Sequence, residues 1–361
     1  MSPKKQGRQS GIELLRILTI MGVVLLHYNN GWGLKAVPPG SSQQLLYFLE
    51  SLCICAVDLF VLISGYFLSG TQRRSLLKPL ELLIQVIAFE VGIYLVLVII
   101  SGSHLSVSYF LECLVPDNYF VILYTAVYLV SPYLNRLFAT FDTREWNRFL
   151  LTAMLLFSVY PTAVDLFEEL TQVQWPGLST ISAFGGQQGF TVVNFLLLYS
   201  VGAYLRHNSL PKWLEGKGRQ LTVFLLSVAV LFPWALATEN LRRFELRSAW
   251  IYHNPLVILT AAALFSLFRS FRFQSRVINE LSGAGFTCFL FHGYLLEYFR
   301  IEEALTKGTV YLLFHILFTA AACYLVSYAA YKVYSLATGW FFRWLEKHCG
   351  FLQSNTPLHI K

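Results

Sequence analysis

The sequence predicts an all-α, polytopic membrane protein. Hydrophobic residues make up 56% of the 361 positions and charged residues only 13%. The mean hydropathy is +0.55, and apolar runs long enough to cross a bilayer as helices recur along the chain. A soluble chain usually carries about 25% charged residues. The composition therefore excludes a soluble two-domain enzyme, a disordered chain and a secreted disulfide scaffold.

Ten apolar runs predict about ten transmembrane helices in one bundle, since one span takes about 20 residues. The runs are 11–29, 46–69, 79–101, 119–137, 149–168, 189–206, 220–238, 250–268, 284–300 and 309–333. The first run follows a charged segment but precedes no small-residue cleavage site, so we interpret it as a retained helix. We expect one integral membrane domain over residues 1–361. Its helical core would span about 11–335, followed by an interfacial tail at 336–361.

The positions of the cations predict the topology. If the N-terminus is cytoplasmic, 19 of the 27 Lys and Arg residues fall in inside segments and 6 in outside segments; Arg16 and Lys332 lie within helices. Membrane proteins collect Lys and Arg on the cytoplasmic side, so we expect both termini there. No single basic patch remains, and the net charge of +7 therefore does not indicate a nucleic-acid partner.

The loop 239–249 departs from this charge pattern because its three arginines would face outside. An anionic substrate could use them, but we favour a simple charge balance with the two glutamates of the loop. The residues are Arg242, Arg243, Arg247, Glu239 and Glu245. The cysteines show no metal-ligand spacing, so we expect neither a metal site nor a disulfide.

The first apolar run, GIELLRILTIMGVVLLHYNNG, is unusual because a charged group within a membrane helix costs about 2.5–3.5 kcal/mol on insertion scales. Arg16 and His27 are eleven residues apart, so they project from one helical face, about 16 Å apart along the axis. This face combines a permanent cation with a titratable imidazole. The alternative is that Arg16 pairs with Glu13 while His27 caps the helix at the outer interface. The spacing does not separate the two interpretations.

Other polar groups in apolar runs are also candidates. Asp58 could orient or charge-balance an imidazole from another helix, or it could pair with Arg16 or a helix end. The cations after the second run could bind a phosphate-bearing ligand, although ordinary positive-inside charge explains them as well. These cations are Arg73, Arg74 and Lys78.

Two histidines in later runs are more difficult to assign a role. His292 and Glu297 are roughly 140° apart around a helix, so they are not expected to form a dyad. The sequence leaves open whether His292 is a packing residue. His315 is a lone histidine in its run, and such a residue is more often a hydrogen-bonded core histidine than a catalyst.

The ordered set of motifs resembles the acyltransferase 3 family of bacterial inner-membrane O-acyltransferases. It comprises the Arg-x10-His face, VDLFVLISGYFLS, the following RRxxxKP, YFVILYTAVYLVSPYLNRL, FLLLYSVGAYLR and GAGFTCFLFHGYLLEYF, and it covers about residues 11–335. The resemblance implies a ten-helix core that transfers an acetyl group from cytoplasmic acetyl-CoA to a sugar hydroxyl. No metal is implied.

The same resemblance implies roles for individual residues. His27 would be the catalytic base and Arg16 would bind the donor, whereas the candidate role of Asp58, to orient or charge-balance an imidazole, rests on its position in the second run alone. The basic cluster of Arg73, Arg74 and Lys78 would help to bind coenzyme A, although many members have Arg where this chain has Lys. The acceptor would be a cell-surface or polyprenyl-linked glycan, reached from the bacterial cell membrane.

Two other function classes remain as alternatives. Some members of the family are proposed to export glycans or acyl groups, so a transporter is the second hypothesis. A membrane scaffold is the third, but a scaffold would not need an ionisable face in its first helix.

Overall fold

The structure is a computed structural model that describes residues 8–71, 74–173, 175, 189–241 and 247–349. These residues form α-helices joined by short turns, and no strand occurs among them. The all-α class predicted from composition is therefore confirmed.

Eight helices of the described chain are long and apolar enough to cross a membrane. They are Ser10–Ala36, Ser41–Leu68, Leu77–Ser101, Tyr119–Phe138, Thr143–Thr171, Lys217–Ala237, Ser248–Arg269 and Thr309–His348. Each corresponds to one of the ten apolar runs. The other two runs form shorter helices, Val192–His207 with 16 residues and Gly285–Leu296 with 12 residues. A total of ten spans thus remains a prediction.

The remaining helical elements are brief. Short α-helices occupy Val107–Glu112, Arg276–Leu281 and Ile301–Leu305. Short 3₁₀ turns occupy Lys212–Leu214, Glu239–Leu241, Ser248–Trp250 and Ser282–Ala284. The first of these α-helices lies in the segment 104–115, which is too short to span a bilayer as a helix.

Side-chain caps fix where several helices begin. The carboxylate of Asp142 accepts from the backbone N–H of Glu145, and the Glu145 side chain accepts from the backbone of Asp142, which forms a capping box. Asn118 and Thr191 accept from backbone N–H groups three residues further on. These caps satisfy donors that the first helical turn leaves unpaired.

The chain divides into two units. The larger unit contains Met1–Ser69 and Phe141–Tyr331. Within it, helix Ala56–Leu68 packs so closely along helix Val192–His207 that the two backbones are in contact. A Cβ atom on Gly65 would lie 2.2 Å from the Tyr199 carbonyl oxygen, and one on Gly202 would lie 2.2 Å from the Leu62 carbonyl oxygen. The two glycines of the LISGYF and YSVGAY motifs are therefore the residues that let these helices meet.

The smaller unit contains Gly70–Thr140 and Lys332–Lys361. Its loop before helix Leu77–Ser101 is held by the Tyr128 hydroxyl, which donates to the Ser75 carbonyl at 3.0 Å. Its C-terminal helical segment is part of Thr309–His348, which continues past position 336, the predicted start of the interfacial tail. Residues 350–361 of that predicted tail lie outside the described residues.

Candidate active site

The first helix carries Arg16 and His27 on one continuous stretch. It is α-helical over Ser10–Tyr28 and then passes through a π-helical turn, Asn29–Gly33, before it ends at Ala36. The predicted spacing therefore holds, with a shared face and about 16 Å of axial separation. His27 does not cap the end of this helix, because the helix continues for nine residues beyond it.

Arg16 makes two contacts with neighbouring side chains of the larger unit. Its Nη1 donates to Glu13 Oε1 at 2.7 Å, and its guanidinium lies 5.6 Å from the centre of the Phe67 ring. The side chain is 35% exposed, whereas that of Glu13 is 9% exposed. The ion pair between Arg16 and Glu13, which was the alternative interpretation from the sequence, is therefore present. A guanidinium has five N–H donors, so a second, anionic partner is chemically compatible with this pair.

His27 meets a second imidazole, that of His292 from helix Gly285–Leu296. The two ring centres are 4.6 Å apart and the planes cross at 72°, an edge-to-face arrangement. His27 is exposed although Leu26 and Tyr28 on either side of it are buried. An accessible imidazole thus rests against a buried one.

The hydrogen bonds of His292 fix its tautomer in the neutral state. Its Nδ1 lies 2.9 Å from the Cys288 carbonyl oxygen, which can only accept, so Nδ1 carries the proton. Nε2 is then an acceptor. This nitrogen is buried and has no hydrogen-bond partner in the described chain. A buried acceptor left unpaired is costly, which makes this nitrogen a candidate to receive a hydrogen bond from a ligand or from His27.

Asp58 lies in the first turn of helix Ala56–Leu68 and is completely buried. Neither carboxyl oxygen has a hydrogen-bond partner among the described residues. The pairing with Arg16 that was one alternative from the sequence is not present there, because the Arg16 ion pair is with Glu13. Burying a carboxyl group without a hydrogen-bond partner costs folding free energy. Asp58 therefore remains a candidate functional residue.

The predicted donor cluster lies in the smaller unit. Arg74 is buried, donates from Nε to Ser131 Oγ at 2.7 Å and lies over the Tyr128 ring at 5.6 Å. Lys78 is exposed and donates to Glu81 at 2.8 Å. Arg73 lies outside the described residues. Arg74 therefore has a structural role within its own unit, and donor binding by this cluster stays a prediction.

The domain to which these residues belong is decided by comparison with known families. A model described as an acyltransferase domain, that of the acyltransferase 3 family, matches residues 9–332. The chain belongs to the acyltransferase 3 family. No curated protein and no solved structure matches it.

The acyltransferase 3 match includes the first helix and helix Gly285–Leu296, so His27 and His292 both lie within the matched domain. Together with the eight membrane-competent helices, it identifies the chain as a multi-pass membrane acyltransferase. The described residues contain no group of three His, Cys, Asp or Glu side chains that could hold a metal ion.

The two remaining candidates from the sequence differ in their surroundings. His315 is hydrogen-bonded, with Nδ1 3.0 Å from the Tyr28 hydroxyl. Glu297 is exposed and follows the last residue of helix Gly285–Leu296, whereas His292 is buried within that helix. These positions agree with the expectation that His292 and Glu297 do not form a dyad.

A buried acidic network in this acyltransferase 3 protein was not predicted from its sequence. His253 Nε2 lies 2.7 Å from Asp165 Oδ2, and both side chains are at most 2% exposed. Four residues further along the same helix, Glu169 accepts a hydrogen bond from Ser248. The motif VDLFEEL contained a usable signal, since three carboxylates at i, i+3 and i+4 share one helical face in an apolar run.

Proposed function

We propose that this protein transfers an acetyl group from cytoplasmic acetyl-CoA to a hydroxyl of a cell-surface or lipid-linked glycan in the bacterial cell membrane. The observation that carries the proposal is the first helix of an acyltransferase 3 domain, which holds Arg16 and an accessible His27 on one face about 16 Å apart. An extended donor that lies along this face would span both residues.

Arg16 is the proposed contact for the donor. Coenzyme A carries phosphates, and a guanidinium binds phosphate through parallel N–H donors. The 35% exposure of the Arg16 side chain, whose one hydrogen bond within the described residues is to Glu13, supports a further anionic partner. Arg73 and Lys78 are proposed to bind the donor as well, and Arg74 is proposed to support them. The buried contacts of Arg74 with Ser131 favour an indirect role for that residue, which would order the loop that carries the cluster.

His27 is the proposed general base. Its neutral imidazole would take the proton from the acceptor hydroxyl as the oxygen attacks the thioester carbonyl. The tetrahedral intermediate would then collapse with cleavage of the carbon–sulfur bond. The leaving thiolate of coenzyme A would receive the proton from the imidazolium, so the base would be regenerated within one turnover. Attack by the imidazole itself, with an acyl-histidine intermediate, is the second form of the same reaction.

Two further groups would support the base. His292 presents its Nε2, which has no partner among the described residues, beside the His27 ring. This nitrogen would accept a hydrogen bond from the His27 N–H and so position the His27 ring. Asp58 would balance the charge of the imidazolium, in line with its buried carboxyl group. We assign both residues positioning roles because no observation brings either of them to the reacting atoms.

The test uses the purified full-length protein in proteoliposomes, with labelled acetyl-CoA and the non-acetylated glycan from cells that lack the gene. We expect label to pass to the glycan, and mass spectrometry of surface glycans should show an acetyl increment only in cells with the gene. A chain that moves glycan across the vesicle membrane without acetylating it would be a transporter. That result would refute the proposal.

A further inference from the structure

A cavity of about 650 Å³ opens beside the end of the first helix. It is formed by that helix from its π-helical turn onward, by helix Ser41–Leu68, by Phe190 and by the segment 247–252 before helix Pro255–Arg269. The lining residues are Asn30, Leu34, Lys35, Glu50, Ile54, Phe190, Arg247, Trp250, Ile251 and Tyr252. Asn30 lies only three residues after His27, about 5 Å along the axis. The cavity therefore begins within one helical turn of the proposed base.

The carboxylate of the cavity is held in place. Glu50 is 1% exposed, and its two oxygens accept hydrogen bonds from the side-chain amides of Asn29 at 2.8 Å and Asn30 at 2.9 Å. Both asparagines belong to the π-helical turn, a feature that often marks functional sites. A carboxylate oxygen accepts more than one hydrogen bond, so Glu50 can still receive donors from a ligand.

The guanidinium of the cavity is also held in place. Arg247 lies 4.7 Å from the centre of the Trp250 ring and 5.3 Å from that of Tyr47. The indole Nε1 of Trp250 donates in turn to Ser51 at 2.9 Å. A cation fixed against two rings loses little conformational entropy when it binds a ligand. Glu50 and Arg247 thus offer a fixed acceptor and a fixed donor in one cavity.

An aromatic pair supplies an apolar surface next to these groups. The rings of Phe190 and Tyr252 are 4.9 Å apart, and both residues line the cavity while remaining partly exposed. Lys35 is an exposed cavity residue for which no ion pair occurs within the described part of the chain. Its ammonium adds a mobile donor to the fixed ones.

The buried acidic network holds the cavity wall at 247–254 in place. Asp165 holds the His253 side chain, Ser158 donates to the His253 carbonyl at 2.6 Å, and Glu169 accepts from Ser248. Asn254 donates back to the Ser248 carbonyl at 2.9 Å. These buried hydrogen bonds fix a segment that has no regular helix of its own, so the cavity is preorganised.

We propose that this cavity binds one sugar ring of the acceptor glycan, with the hydroxyl to be acetylated directed toward His27. A sugar ring has hydroxyls on its rim and C–H groups on its faces. The rim would donate to Glu50 and accept from Arg247 and Lys35, and one face would pack on Phe190 and Tyr252. The volume lies within the range of small-molecule sites, about 300–1,000 Å³. This inference depends on the proposed function only for the direction of the hydroxyl.

The test measures binding apart from catalysis. The probe is the non-acetylated glycan from cells that lack the gene, with the full chain in detergent and an inactive His27→Gln form in parallel. Glu50→Gln should weaken glycan binding about 10- to 100-fold, since a hydrogen bond to a charged group is lost. Tyr252→Ala should weaken it about 3- to 10-fold, and Tyr252→Phe should restore it because the ring is kept.

Tyr204→Ala is the matched control. Tyr204 is also partly exposed, but its hydroxyl donates to Asn147 in a region that contributes nothing to the cavity. We expect its glycan affinity to equal that of the unmodified chain. If Glu50→Gln does not fold, the comparison of Tyr252→Ala with Tyr252→Phe still decides, because both change a side chain at an accessible position.

The outcomes separate this inference from the proposed function. Glycan binding that depends on Tyr252 in a chain that transfers no acetyl group would support the cavity and refute the acetyltransferase. Acetyl transfer whose KM for glycan is unchanged in both Tyr252→Ala and Glu50→Gln would support the enzyme and overturn the cavity. A raised KM for glycan with an unchanged KM for acetyl-CoA would support both.

Discussion

The imidazoles of His27 and His292 meet edge to face, 4.6 Å apart, although 265 positions separate them in the chain. One ring is accessible, and the other is buried with its Nδ1 proton committed to the Cys288 carbonyl. This asymmetry gives the pair two different tasks. The accessible ring can exchange protons with a substrate, and the buried ring can only influence its neighbour.

His27→Gln should lower acetyl transfer by about 10²–10⁴ or more, because general-base catalysis is typically worth that factor and an amide takes no proton at neutral pH. His27→Ala should lose at least as much. Acetyl-CoA binding, measured by calorimetry, should persist in both. Transfer is compared at matched membrane expression, with the exposed His104→Gln as control. Full activity in His27→Gln would move the search for the base to His292 and Glu297.

His292→Asn should retain the fold, since its amide nitrogen can replace Nδ1 as the donor to Cys288. The rate should fall less than in His27→Gln. Because asparagine keeps the Cys288 contact but removes the acceptor beside the His27 ring, kcat should fall while the KM values for glycan and acetyl-CoA stay unchanged. An unchanged kcat would show that His292 only packs against His27. Asp58→Asn, assayed alongside, should cost more than His292→Asn.

Arg16→Ala should weaken acetyl-CoA binding about 10- to 100-fold, the value of a hydrogen bond between charged groups. Arg16→Lys should retain part of the affinity, since it keeps the charge but not the planar fork. Glu13→Gln is the matched control, because it breaks the same ion pair and keeps the guanidinium. Equal losses in Arg16→Ala and Glu13→Gln would indicate that the ion pair alone matters. Arg74→Ala should have a milder effect than Arg16→Ala.

Gly202→Ala should destabilise the larger unit by about 1–3 kcal/mol or more. The added methyl group would clash with the Leu62 carbonyl, and the two helices, whose backbones are in contact, would have to move apart. Gly65→Ala should behave alike, against the Tyr199 carbonyl. In Gly218→Ala the methyl group meets no atom within 4 Å, so this helical control should be neutral or slightly stabilising. Thermal unfolding in detergent measures all three, and equal melting temperatures would contradict the close packing of these helices.

The predicted topology places both termini in the cytoplasm. In a background without other cysteines, Ser2→Cys and Ser354→Cys should resist an impermeant thiol reagent added to intact cells. Lys35→Cys should react, since it lies in a predicted outside segment and is exposed. Labelling of either terminus under these conditions would reverse the orientation. In that case the cavity beside Lys35 would open to the cytoplasm.

The sequence alone determined the features that depend on local periodicity. Low charge and long apolar runs require helices that satisfy their own backbone hydrogen bonds in a bilayer. Helical geometry then turns the eleven-residue spacing of Arg16 and His27 into one face with a known axial separation. The family, too, could be predicted, because its motifs are ordered along the chain and the match covers residues 9–332.

Only the tertiary structure decided which distant side chains meet. The sequence left the role of His292 open because its own helix offered no partner, and the structure shows that it contacts His27 from a different helix. Arg74 donates to Ser131, 57 positions away, and Asp165 pairs with His253, 88 positions away. Such contacts depend on how the faces of different helices pack together, whereas the spacing within one helix fixes only the direction in which each side chain points.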